Sequence, residues 1–173
     1  DEITSKKEAI DNFNVVTRKN INYENVREYQ FKPFKANKYV NKRIMLNGNS
    51  ALFYEPIEAI SGGFYDTLNV LYYEYIFNKT FNERDINLNI HYMADKYINF
   101  ISYLYRGGST YDTDFWRHAV KICNDNLKND KWLETIESIK QGKENITRFP
   151  LSCEAWRILD KNLYDGKTFN IDD

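Results

Sequence analysis

From about residue 65 to the end of the chain, apolar side chains recur every three or four positions, which is the spacing of amphipathic helices. The pattern predicts helices over residues 65–79 and 86–106, and the second ends where Gly107-Gly108 releases the backbone. Three more helices are predicted: one capped by Asp112 or Thr113 and running to Leu127, one over about 130–140, and one capped by Ser152 that ends before Gly166.

The N-terminal third of the chain has a different pattern. Ser5 and Glu8 have capping-box spacing and predict a helix over residues 5–19. Residues 20–58 have no helical period. Within them two apolar runs, Arg43–Leu46 and Ala51–Tyr54, flank Asn47-Gly48-Asn49-Ser50. Asn-Gly between apolar runs indicates a β-hairpin, and the rest of this stretch is expected to form an extended strap on the helices.

These patterns predict a mainly α fold, a five- to six-helix bundle with a small N-terminal β-hairpin or extended strap. A length of 173 residues fits a single domain, residues 1–173. Residues 1–58 would supply the first helix and the strap or hairpin, 59–166 the helical core, and 167–173 a frayed tail.

The aromatic content is high: 14 Tyr, 11 Phe and 3 Trp. Such side chains build cores or binding surfaces, although an AT-rich genome would also favour Tyr and Phe codons. The 24 basic and 25 acidic residues give a net charge of −1, which favours neither nucleic acid nor an anionic membrane as partner. The apolar runs are too short for membrane insertion.

The two cysteines, Cys123 and Cys153, leave two interpretations open. They form one disulfide, or they are two buried free thiols. The sequence begins with Asp1, and a removed export signal would explain this, so an exported (periplasmic or secreted) location is slightly favoured over the cytoplasm.

Few residues point to catalysis. The two histidines are His91 and His118. His91 and Asp95 are four residues apart on one helix, but no third ligand has metal-site spacing, so we expect an exposed surface pair and no metal. The sequence has no Gly-rich phosphate loop, so no cofactor is predicted.

Recognition-type side chains are concentrated around the Gly107-Gly108 turn, and they predict a contact patch for another protein. The alternative is that half of these tyrosines and Trp116 pack between helices. The patch comprises Tyr103, Tyr105, Arg106, Tyr111, Asp112, Asp114, Trp116 and Arg117.

The favoured hypothesis is therefore a non-catalytic protein-binding module of the kind formed by immunity or inhibitor proteins, which neutralise a toxin or enzyme. One alternative is a hydrolase or transferase whose histidine and carboxylate site is assembled by the fold. Another is a structural or surface component.

Overall fold

The computed structural model describes residues 4–29, 32–54, 60–107, 112–128 and 153–164. The fold of these residues is mainly helical, as predicted. The α-helices are α1 (Lys6–Thr17), α2 (Ile60–Tyr73), α3 (Glu83–Gly107), α4 (Asp114–Leu127) and α5 (Cys153–Tyr164). The helix predicted over about 130–140 lies outside the described residues, as does the frayed tail.

The caps of α1 and α4 form as the sequence indicates. The Ser5 side chain accepts a hydrogen bond from the Glu8 amide, and the Glu8 carboxylate accepts one from the Ser5 amide, so the capping box is present. Thr113 is the N-cap of α4 and accepts from the Trp116 amide. Of the two predicted caps for this helix, the structure therefore selects Thr113.

Helix α2 ends differently from the prediction of one regular helix over 65–79. It begins at Ile60, and after Tyr73 the chain widens into a π-helical turn, Glu74–Asn78, which ends at Lys79 with φ 52°. The Glu74 carboxylate accepts hydrogen bonds from Asn78 and from the Thr80 hydroxyl. These bonds fix the end of the turn.

Four two-residue strands lie in the segment between α1 and α2: β1 (Phe34–Lys35), β2 (Val40–Asn41), β3 (Ile44–Met45) and β4 (Leu52–Phe53). Strand β1 pairs with β4, and β2 pairs with β3, both antiparallel. The predicted hairpin is therefore wrong in its pairing, because β3 and β4 are not partners.

The physical reason lies in the Asn-Gly turn. A two-residue type I′ turn needs positive φ at both central residues, but Asn47 has φ −143° and only Gly48 is positive, at 59°. The Asn47 side chain caps the 3-10 turn Gly48–Ser50 instead. The tight turn forms earlier, where Lys42 has φ 56° between β2 and β3.

The core lies where α2 and α3 meet the segment of residues 32–54, which we call the strap. Tyr39, Phe64 and Tyr97 are each about 1% exposed. The Phe64 ring packs edge-on against both tyrosines, with centroid distances of 6.3 Å to Tyr39 and 5.1 Å to Tyr97. Aliphatic side chains such as Leu68 and Ile90 complete this core. The predicted strap therefore supplies a central core residue.

Helix α3 binds the strap through four side chains spaced four residues apart, which we call the strap ladder. Its two middle rungs are Asn87 and His91. Asn87 accepts from the amides of Tyr39 and Val40 at 2.8 and 3.0 Å and donates to the Val40 carbonyl at 2.9 Å. His91 Nε2 lies 2.9 Å from the Asn37 carbonyl oxygen. It must donate there, since a carbonyl only accepts.

The outer rungs of the strap ladder are carboxylates. Glu83 accepts from the Lys42 amide at 2.8 Å and forms an ion pair with Lys38 at 2.7 Å. Asp95 forms an ion pair with Lys35. The part of the strap between Lys35 and Lys42 thus runs antiparallel to α3, and the strap ladder binds it to this helix.

Among the helices that the structure describes, none combines the length and hydropathy required to cross a bilayer.

Candidate functional site

A cleft of about 850 Å³ lies between α1, the residues that follow its 3-10 turn (Tyr23–Asn25) and the start of α4. A pocket of this size suits a small organic ligand. Its lining comprises Thr4, Ser5, Lys6, Glu8, Ala9, Ile10, Asn12, Val26, Arg27, Glu28, Thr113, Asp114, Phe115 and Trp116.

One wall of the cleft is aromatic. Phe115 and Trp116 are half-buried, and their rings meet edge-on at 5.3 Å. Trp116 also packs against Tyr105 of α3, with a centroid distance of 5.7 Å. Because Trp116 is held from two sides, it presents a fixed apolar surface. Ile10, the buried residue of α1, lies on the other side of the cleft.

The rim of the cleft carries charges of both signs, including Glu8, Arg27, Glu28 and Asp114. The amide and hydroxyl of Ser5 both donate to the Glu8 carboxylate, and these bonds lower the pKa of Glu8. Glu8 is therefore an anion at neutral pH. A mixed rim around an apolar wall suits a ligand with an aromatic ring and ionised substituents.

The opposite wall is tied to α1. The Lys6 ammonium donates to the Val26 carbonyl at 2.9 Å, and the Asn14 side chain bonds both the amide and the carbonyl of Ile21. These contacts fold residues 21–28 back against the helix, which places Arg27 and Glu28 at the cleft.

The structure brings some residues of the predicted contact patch together. Arg117 donates to the carboxylates of Asp112 and Asp114, and all three are exposed. The two carboxylates raise the pKa of Arg117, Asp114 chiefly. Asp114 and Trp116 also line the cleft.

Other patch residues lie elsewhere. Tyr103 is 1% exposed and belongs to the core. Tyr105 is half-buried and packs against Trp116, and Arg106 is half-buried in the last turn of α3. Tyr111 lies outside the described residues. Packing between helices, the alternative considered above, thus describes Tyr103 and Tyr105.

The histidines do not form a catalytic constellation with the cleft. His118 is exposed on α4. The expected exposed His91–Asp95 surface pair is wrong, because the two side chains bind different strap residues and both are half-buried. Within the described ranges, no three His, Cys, Asp or Glu side chains approach closely enough to hold a metal ion.

Cys123 is a free, buried thiol. Burial raises its pKa, and a hydrogen bond with Ser102 partly opposes this. The side chain of Cys153 lies outside the described residues. For Cys123, the structure agrees with the buried-thiol interpretation.

The residues on the α1 side of the cleft were not among the predicted site residues. No pattern in the sequence marks Glu8, Ile10, Val26 or Arg27 as pocket residues. They reach the cleft only because the chain turns back after α1. No local spacing could have placed them opposite Phe115.

The chain was compared with known protein families, curated proteins and solved structures. The family model described as tryptophan halogenase matches residues 1–152. Comparisons with curated proteins and with solved structures gave no match.

This finding overturns the functional hypothesis drawn from the sequence. The interpretation as a non-catalytic immunity or inhibitor protein is wrong, because the matched family points to a function related to enzymatic halogenation. It also replaces the alternatives of a hydrolase or transferase and of a structural component. The misleading observation was the lack of a short catalytic motif.

Proposed function

The chain belongs to the tryptophan halogenase family, and we propose that it takes part in halogenating an aromatic substrate, whose ring the cleft between α1 and α4 holds. The observation that carries this proposal is the aromatic wall of Phe115 and Trp116 in a cleft of about 850 Å³. Aromatic rings favour edge-to-face or offset contacts with one another. An indole fits such a wall.

The rim supports a substrate with ionised substituents. Arg27 can pair with a carboxylate, and Glu8 or Glu28 can pair with an ammonium group. An amino acid with an indole side chain carries both groups. The substrate in the family's name therefore has the chemistry that this cleft would recognise.

The role proposed for this chain is binding and orientation. Replacing an aromatic C–H with a carbon–halogen bond from a halide ion removes two electrons, so an oxidant takes part besides the halide. Enzymes commonly leave such redox chemistry to a cofactor, while the protein positions the reacting atoms. Rigid packing of Trp116 between Phe115 and Tyr105 serves this positioning.

Binding is the first test. Titration calorimetry with L-tryptophan should give saturable binding to the native protein. Phe115→Ala and Trp116→Ala should each weaken binding about tenfold or more, the effect expected for an aromatic anchor. Tyr73→Ala is the matched control, since Tyr73 is 56% exposed and packs on Phe77 away from the cleft. Equal losses in all three variants would contradict the assignment of the cleft.

Activity is the second test. Lysate containing the native protein would be incubated with bromide and L-tryptophan, and mass spectrometry would look for the bromine isotope pair in the product. Arg27→Gln should lower product formation mainly by raising KM, because the change removes a substrate-binding charge without altering the aromatic wall. Unchanged turnover in all cleft variants would place the reaction elsewhere.

A further inference from the structure

The strap is strongly basic, although the whole chain is nearly neutral. Between residues 30 and 54 there is no acidic side chain, and the five cationic ones are Lys32, Lys35, Lys38, Lys42 and Arg43. At physiological salt, charges more than about 8 Å apart are largely screened. A partner at the strap would therefore respond to this local charge and not to the net charge of −1.

Among the residues that the structure describes, most of this charge has no ion-pair partner. Lys35 and Lys38 are neutralised by Asp95 and Glu83 of the strap ladder. Lys32, Lys42 and Arg43 are exposed, and none of them forms an ion pair with the residues that the structure describes. Their charges are therefore available to a partner.

The backbone positions of Lys42 and Arg43 are fixed by the fold. Lys42 and Arg43 form the turn between β2 and β3, and the backbone of Lys42 is held by Glu83 at 2.8 Å. Next to this turn Ile44 is 66% exposed, and Phe34 at the start of the strap is 46% exposed. The surface thus combines cations with apolar contacts on a backbone that is already ordered, which lowers the entropic cost of binding.

We propose that the strap is a docking surface for an acidic segment of a partner protein. Acidic residues bound the strap in sequence, at Glu28 and Glu55, and in space, at Glu83 and Asp95. A broad polyanion such as a bilayer or a nucleic-acid duplex would meet those carboxylates. A narrow acidic peptide can follow the strap alone. This role goes beyond halogenation and does not depend on the cleft.

The test uses a fluorescein-labelled peptide of about ten glutamates, long enough to span the strap in extended form. Fluorescence anisotropy should show saturable binding that weakens as salt is raised toward about 0.15 M. The variant combining Lys32→Glu, Lys42→Glu and Arg43→Glu should bind at least about tenfold more weakly, since attraction becomes repulsion.

The matched control carries the same change in net charge at exposed lysines outside the strap: Lys19→Glu, Lys121→Glu and Lys161→Glu. It should keep its affinity within about twofold. Circular dichroism would check the fold of both triple variants, and Lys42→Gln with Arg43→Gln provides a milder second variant.

Three results would overturn the proposal. One is an absence of peptide binding by the native protein. A second is an equal loss of peptide affinity in the strap variant and in its control. A third is tighter binding of phosphatidylserine vesicles or a DNA duplex than of the peptide, since either would identify a different class of partner.

Discussion

The side-chain amide of Asn87 takes the place of a neighbouring strand for the backbone of Tyr39 and Val40. It makes three hydrogen bonds to them, between 2.8 and 3.0 Å. Asn87→Ala should lower the free energy of unfolding by about 2–4 kcal/mol, because two amides lose their acceptor. Urea denaturation measures this.

Asn87→Asp separates the two functions of the amide, because the carboxylate keeps an acceptor and loses the donor. The free energy of unfolding should therefore fall less in Asn87→Asp than in Asn87→Ala. Asn89→Ala is the control, since among the described residues the Asn89 side chain bonds only the Asp85 carbonyl of its own helix. If the Asn87→Ala and Asn89→Ala variants unfold at the same urea concentration, the amide does not hold the strap.

Tyr39 shows the opposite case, a buried polar group that the fold leaves unsatisfied. Its hydroxyl has no hydrogen-bond partner in the part of the chain that the structure describes. Burial raises its pKa above the ordinary value of 10, and the charge of Asp95 adds to this. Tyr39→Phe keeps the ring contacts with Phe64 and His91 and should leave thermal stability unchanged or higher by up to about 1 kcal/mol.

The comparison variant for that measurement is Tyr65→Phe. The single proton of the Tyr65 hydroxyl has two acceptor oxygens within reach, the Asn49 side-chain oxygen at 2.8 Å and the Leu52 carbonyl oxygen at 3.0 Å, so removal of the hydroxyl should cost about 1 kcal/mol. A loss in Tyr39→Phe as large as that in Tyr65→Phe would mean that the Tyr39 hydroxyl has a partner.

At the scale of single elements, periodicity predicted the helices well, because burial of one face imposes the 3.6-residue repeat on the sequence. Strand pairing was not predictable in the same way. Asn47 and Gly48 are compatible with a hairpin turn, but Asn47 uses its side chain to cap a 3-10 turn. Strand β3 instead pairs with the adjacent β2, and β4 pairs with the distant β1. The side chain of Asn87 in α3 binds the backbone of Tyr39 and Val40, and no local pattern records these contacts.

The contact of Glu83 with the strap should be sensitive to acid. The pKa of Glu83 lies below its ordinary value of 4.5, chiefly because Lys38 donates to it and also because the Lys42 amide does. A carboxyl group whose pKa is lowered by folding stabilises the protein at pH values above its ordinary pKa. This stabilisation is lost as the pH falls through the pKa that the group has in the folded protein. Native protein should therefore be more stable to urea than Glu83→Gln at neutral pH, and the difference should shrink below about pH 4.

Glu24→Gln is the control for this pH series, since the Glu24 side chain makes no hydrogen bond among the described residues. Its unfolding midpoint should follow the native one at every pH. If the native protein remains more stable to urea than Glu83→Gln in acid, the carboxylate charge is not what holds Lys42.

For the whole molecule, the sequence indicated the helical class but not the site or the family. Of the residues in the aromatic wall, Trp116 was predicted to be a contact residue from its type and position, whereas Phe115 was not. Their counterparts Glu8 and Arg27 could not be predicted, because the cleft joins segments about ninety residues apart in sequence. The family match extends over residues 1–152, and none of the residues or motifs singled out in the sequence pointed to it.

The regular spacing of the strap ladder also constrains the length of α3. Its rungs span twelve residue steps, or about 18 Å of helix, and they bind the strap between Lys35 and Lys42. A single residue inserted between Glu83 and Asp95 would rotate the ladder side chains on one side of the insertion by about 100° relative to the others. The strap residues that they bind would then lose their contacts with α3. Changes in length should therefore be tolerated before Lys32 but excluded from this stretch of α3, which a scan of one-residue insertions would reveal.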